Sequence, residues 1–140
     1  MRFDKANQPD DILVIRFDNQ LYFANASYFL DIIKELTIEK GAELKLLILD
    51  ATSMHDIDST GLHALEEILT FLENRDIELY LSGAIGPVRD KLQITGLAKK
   101  IGEKNHFLRI HDAVVYYQNS RKGNTTGWAP EALQSNIDFE

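Results

Sequence analysis

The residues best equipped for chemistry in this 140-residue chain sit in one short run, Asp56-Ile57-Asp58-Ser59-Thr60-Gly61-Leu62. Its simplest use is structural. A carboxylate or hydroxyl from Asp58 or Ser59 placed just before a helix accepts hydrogen bonds from free backbone N–H groups and stabilises the helix by about 1 kcal/mol. A calcium loop is a second use, because Asp56, Asp58, Thr60, Gly61 and Glu67 fall at positions 1, 3, 5, 6 and 12 of an EF-hand pattern. Three features count against it: Thr60 stands where Asp or Asn is usual, His63 takes an apolar position, and the leucine stripe of the following helix starts at Leu62, inside the supposed loop.

Other candidates are weaker. Ser82, Gly83 and Gly86 precede Pro87 and would let a partner or a nucleotide approach the backbone, but the same residues make a tight turn into a helix, and no GxxxxGK[ST] phosphate loop is present. His55, His63, His106 and His111 lack paired ligand spacing and read as ordinary exposed histidines, so no metal is assigned. The absence of cysteine excludes disulfides, thiolate zinc sites and cysteine nucleophiles. Asp50 closes a strand as a phosphoacceptor aspartate does, yet Phe17-Asp18-Asn19 stands where an acidic pair would be needed. No nucleophile elbow accompanies the serines. The expectation is a protein that is not an enzyme and that takes no cofactor.

The elements that must hold these residues follow from periodicity. Ile12-Leu13-Val14-Ile15-Arg16-Phe17 is a β-branched run of strand length, and Asp18-Asn19-Gln20 leads to Leu21-Tyr22-Phe23, which predicts an antiparallel hairpin. Asn25 stands as the N-cap of a helix with Phe29, Ile32, Ile33 and Leu36 on one face, ending near Gly41. Residues 44–49 are apolar at nearly every position, as in a central strand covered on both faces. Leu62, Leu65, Leu69 and Leu72 place a second helix over residues 60–74, and Ile77-Glu78-Leu79-Tyr80-Leu81 is the next strand. Pro87 opens a third helix that Gly96 closes, residues 107–110 form a short strand, and residues 111–117 a final helix.

The order ββαβαβαβα predicts an α/β domain with a mixed, mostly parallel sheet of about five strands and four helices, its crossovers right-handed. The loops after Asp50 and Ser82 then share the carboxyl edge of the sheet, where function usually sits in open α/β folds. Residues 1–11 read as a lead-in, residues 12–118 as the domain, and residues 119–140 as a polar tail in which Trp128 and Leu133 are the residues able to dock.

Asp58-Ser59-Thr60-Gly61-Leu62 after an apolar strand resembles the motif of the STAS family, named for sulfate transporters and anti-sigma-factor antagonists. Arg16-Phe17-Asp18 and Leu21-Tyr22-Phe23-Ala24-Asn25-Ala26 are similar to the opening of the domain in sulfate permeases of the SulP type. Leu49-Asp50-Ala51-Thr52-Ser53, Leu62-His63-Ala64-Leu65 and His111-Asp112-Ala113-Val114 extend the similarity over residues 12–117. The resemblance implies a STAS-like (SpoIIAA-like) fold and a non-catalytic regulatory domain of a sulfate or inorganic anion transporter. It further implies the transporter's own transmembrane portion as partner, a homodimer in the full-length protein, weak nucleotide binding in some members, and a place on the cytoplasmic side of the membrane. In the antagonist branch the serine after the aspartate is phosphorylated, which here is Ser59, so a free-standing phospho-switch is the alternative.

Charge and hydropathy agree with these expectations. Fifteen Lys and Arg against 22 Asp and Glu leave a formal charge of −7, which opposes nucleic acid and anionic lipid as partners. The densest apolar stretch is far shorter than the roughly 20 residues of a bilayer span, so no direct insertion is expected. Met1-Arg2-Phe3-Asp4-Lys5 lacks the apolar core of a secretory signal.

Overall fold

The computed structural model describes residues 8–121. In chain order these form β1 (Ile12–Arg16), α1 (Ala26–Lys40), β2 (Leu46–Asp50), α2 (Ser59–Glu73), β3 (Glu78–Ser82), α3 (Gly86–Ile94), α4 (Leu97–Ile101), a single 3-10 turn (Glu103–Asn105), β4 (His106–Phe107) and α5 (Ile110–Arg121). The four strands pair in the order β1-β2-β3-β4, every pair parallel. The register sets Arg16 beside Asp50 and Asp50 beside Ser82, so three polar residues line up along the carboxyl edge.

Side chains alternate across a strand, and this divides the core in two. Leu13, Ile15, Leu47, Leu49, Leu79 and Leu81 join Phe29 and Ile33 of α1, Leu65 and Leu72 of α2, Leu92 of α3 and Leu97 of α4. The opposite face, Ile12, Val14, Leu46, Ile48 and Tyr80, is covered by Ala113, Val114 and Tyr117 of α5. Right-handed crossovers between strands laid down in sequence order put every connecting helix on one face. Helices α1 to α4 therefore share a face, and only the terminal helix can cover the other. Burial of all five β2 residues fits its central place.

Four details depart from expectation. The hairpin does not form: Leu21 makes one isolated parallel bridge with Ile57, because its N–H and C=O are taken by the loop before α2 and not by β1. Four strands are described where about five were expected. The helix opened by Pro87 stops at Ile94, and Gly96, at φ 79°, turns the chain into α4, which makes five α-helices among the described residues. In α1, Ala26 and Thr37 are buried with Phe29 and Ile33, while Ile32 and Leu36 lie half-buried; the Thr37 hydroxyl donates to the Ile33 carbonyl at 2.7 Å and so enters the core satisfied.

The amino end of the fold is tied down by side chains. Buried Gln8 receives the Val14 N–H at 2.9 Å and donates to the Val14 carbonyl at 3.2 Å, filling that residue's outward backbone positions on β1. The Tyr117 hydroxyl donates to Asp11 Oδ2 at 3.2 Å and links α5 to the start of β1. Most of the expected polar tail, with Trp128 and Leu133, lies outside the described residues, and α5 runs to Arg121. No helix among the described residues is long and apolar enough to cross a membrane.

Candidate functional site

Asp58 is the N-cap of α2, and both of its carboxylate oxygens are engaged. The Gly61 N–H donates to Oδ1 at 2.8 Å, and the Phe23 N–H donates to Oδ2 at 2.9 Å. One oxygen satisfies a free amide of the helix; the other grips a loop 35 residues away. That loop is fixed twice more, by the Leu21 N–H on the Asp56 carbonyl at 3.0 Å and by the Asp58 N–H on the Leu21 carbonyl at 3.1 Å.

Gly61 makes this apposition achievable. A Cβ there would stand 2.5 Å from the Leu21 carbonyl oxygen and 2.8 Å from Ile57 Cγ1. The glycine is needed for closeness of approach, since its φ is not in the left-handed region. Asn25 takes part in the same loop. Although it is the N-cap residue of α1, its side chain makes no bond to the helix; Oδ1 accepts from the Tyr22 N–H at 3.0 Å and Nδ2 donates to the Gln20 carbonyl at 2.8 Å.

Ser59 and Thr60, the first residues of α2, are exposed. Ser59 borders a shallow cleft of about 260 Å³ with His63, Glu66, Thr95 and Lys100. Charge beside it is lower than the sequence suggests. Lys91 of α3 donates to Asp56 Oδ1 at 2.8 Å and to the Ile57 carbonyl at 2.9 Å. The Lys91 hydrogen bond, with help from the Ile57 N–H, holds the Asp56 carboxyl below its ordinary range. Lys100 binds Glu66 and holds that carboxyl low in the same way.

The second candidate loop is built differently. Ser82 is fully buried, and its hydroxyl lies 3.3 Å from Asp50 Oδ1. Gly83 has φ 75°, and a Cβ there would fall 2.1 Å from Thr52 Oγ1. Gly86 has φ 56° and open space around it. The structure thus brings Asp58, Ser59, Thr60 and Gly61 together, and separates them from Ser82, Gly83 and Gly86.

Between the two loops lies a polar cluster that sequence reasoning left undescribed. Asp50 Oδ1 accepts from the Thr52 N–H at 3.2 Å and from the Thr52 hydroxyl at 2.5 Å. The guanidinium of Arg16 stands 3.7 Å from Asp50 Oδ2 and 3.1 Å from Asp18 Oδ1, and donates to Ser53 Oγ at 3.1 Å. Asp50 is thereby enclosed as a tie between the ends of β1, β2 and β3. Neither this cluster nor Lys91 has a local sequence signal, because each joins residues more than 30 positions apart. His106 also departs from expectation: it is half-buried, with Nε2 2.9 Å from the Ala98 carbonyl. Among the described residues no group of His, Asp and Glu is arranged to hold a metal ion.

Comparison with known proteins agrees with this geometry. The family model for the STAS domain matches residues 5–113. The high affinity sulfate transporter 2 of Stylosanthes hamata is 36% identical over 124 residues, which are 83% of this chain and 19% of the transporter. The chain spans about a fifth of the length of the curated relatives it matches. The SulP transporter STAS domain from Vibrio cholerae superimposes with a TM-score of 0.68 at 26% identity, over 82% of this chain and 87% of that one. A putative anti-sigma factor antagonist from Thermotoga maritima has the same fold, with a TM-score of 0.67 at 20% identity over 77% and 88% of the two chains. With the Asp58 turn, the Leu21–Ile57 bridge and the parallel sheet in place, the chain belongs to the STAS domain family.

Proposed function

We propose that this chain is the non-catalytic regulatory and interaction domain of a SulP-type sulfate or inorganic anion transporter, held on the cytoplasmic side of the membrane against that transporter's own membrane portion. The observation that carries the proposal is the 36% identity to a sulfate transporter of which the matched segment is only 19%. The site supports it physically. Both oxygens of Asp58 are bonded to backbone amides and Asp56 is bonded to Lys91, so the acidic groups beside Ser59 serve to hold a surface in shape. Phe23, 74% exposed and anchored through its own amide on Asp58, gives that surface an apolar contact point.

The test is to read the gene upstream of the Met1 codon. A continuous frame encoding several apolar spans of about 20 residues supports the proposal. An in-frame stop directly upstream overturns it.

A second reading, a phospho-switch of the antagonist kind, is favoured by the exposure of Ser59 at the first position of α2. A phosphate there would add roughly −1.5 to −2 charges at the positive end of a helix, which the fold tolerates, and would turn the surrounding surface against an acidic partner. Mass spectrometry after incubation with a cognate kinase checks it; an unmodified Ser59 removes its support.

A further inference from the structure

A cavity of about 510 Å³ lies away from Ser59, between α3, α4 and β4. The strand order of the sheet never reverses, so this hollow is not the crevice of a topological switch point. It lies where the chain turns from α3 into α4 at Gly96. A Cβ on that residue would meet nothing within 4 Å, so the cavity reaches the bare backbone of the break.

Its chemistry is two-sided. Leu81, Leu92 and Ala98 are buried and Phe107 half-buried, which makes the floor apolar. Ile85 and Leu108 form lips that are 58% and 73% exposed, a state that water disfavours. The rim carries two cations, Arg89 and Lys99, neither of which makes an ion pair among the described residues, and one carboxylate, Glu103. By contrast Lys91 and Lys100, on the same two helices, are both paired. In a chain of charge −7, two cations against one carboxylate over an apolar floor are a local exception to the overall field. The volume falls in the range of about 300–1,000 Å³ usual for small-molecule sites, which combine apolar walls with a few orienting polar groups.

We propose that this cavity binds a small amphipathic organic anion, a carboxylate with an aromatic or alkyl tail. The tail lies against Leu81, Leu92 and Phe107, and the carboxylate meets Arg89 and Lys99. A ligand here would bridge α3 and α4 across their break, and so connect to Asp56 through Lys91 on the same helix as Arg89.

The probe is 4-phenylbutyrate, with 4-phenylbutanamide as its neutral counterpart, titrated into the full 140-residue chain and followed by backbone amide NMR. The carboxylate should shift the signals of Ala84, Ala98 and Phe107, and should bind about tenfold or more tightly than the amide, the effect of a charge-assisted contact. The double substitution Arg89→Gln, Lys99→Gln should remove that preference while leaving amide affinity within about twofold. Ala84→Trp, which fills the cavity from its edge, should abolish binding of both; an unchanged amide spectrum elsewhere in the sheet shows that the variants fold. Equal affinity for carboxylate and amide, shifts that map away from the cavity, indifference to either variant, or no response at about 10 mM probe would each overturn the proposal.

Discussion

Two turns leave the carboxyl edge of the same sheet, one from β2 into α2 and one from β3 into α3, and they are closed in opposite ways. The first is sealed from outside: the loop at residues 21–25 is laid across it, Gly61 lets the Leu21 carbonyl in, and Asp58 bonds to both sides. The second is sealed from inside. Ser82 turns into the protein toward Asp50, and Gly83 yields its side-chain space to Thr52. Outside that second turn Ile85 stays largely exposed, and a cavity remains. A glycine between strand and helix therefore has no single meaning; what presses on it decides its role.

Substitution at the two glycines should have the largest effects and breaks the comparison most directly. Gly61→Val forces a side chain against a backbone carbonyl, which cannot move without lifting residues 21–25, and should cost about 3 kcal/mol in urea unfolding. Gly83→Ala should cost about 2–3 kcal/mol, combining positive-φ strain with the Thr52 contact. In Gly83→Ala the companion change Thr52→Ala should recover part of the loss, because the hydroxyl is the closest atom. No companion side-chain deletion should rescue Gly61→Val to the same degree, since its closest contact is backbone.

Asp58 tests the outer seal at a finer level. Asp58→Ala should lower stability by about 1–2 kcal/mol, through loss of the cap and the tether together. Asp58→Asn should fall between Ala and the parent, since an amide keeps an acceptor for Gly61 and loses the one for Phe23. Equal stability of Asn and Ala variants would show that the tether, and not the cap, dominates.

The Lys91–Asp56 pair gives a smaller, pH-dependent signal. Asp56 titrates lower in the folded chain than in the unfolded one, so its contribution to stability is present above the unfolded pKa and is lost as pH falls through the folded one. In Lys91→Met, the Asp56 midpoint followed by carboxyl NMR should rise toward the ordinary aspartate value, while stability at neutral pH changes little for so exposed a pair. The smallest effect belongs to Ser59→Asp, which should leave the unfolding free energy within about 0.5 kcal/mol of the parent, since its side chain is exposed and the helix end favours negative charge. A large loss there would show that Ser59 is part of the seal.

Much of this arrangement was legible in the residues. The leucines of α2, the apolar run of β2 and the capping carboxylate of Asp58 are local signals, and the structure places each where its spacing points. The resemblance of residues 12–117 to the STAS family was also sound, and a family match over residues 5–113 bears it out. The hairpin was not. Leu21-Tyr22-Phe23 has the composition of a strand, but three residues cannot say which partner will use their backbone, and the Ile57 loop takes Leu21 from the opposite direction. Lys91, Arg16 and the crowding at Gly61 were equally silent, because each depends on residues distant in the chain. His106 is a shorter-range case: its Nε2 meets the Ala98 carbonyl of α4, eight residues earlier, a contact that no local pattern announces.

The Gln8 amide bonded to Val14 has a consequence for how the protein behaves in company. A parallel sheet with a bare outer strand offers an unfinished row of donors and acceptors to any extended peptide it meets. One glutamine side chain completes that row at its midpoint, imitating the neighbouring strand that would otherwise be recruited. The residues just ahead of Ile12 thus belong to the colloidal behaviour of the domain as much as to its fold, and a fragment trimmed to begin at the first strand would carry an adhesive margin that the longer chain has already closed.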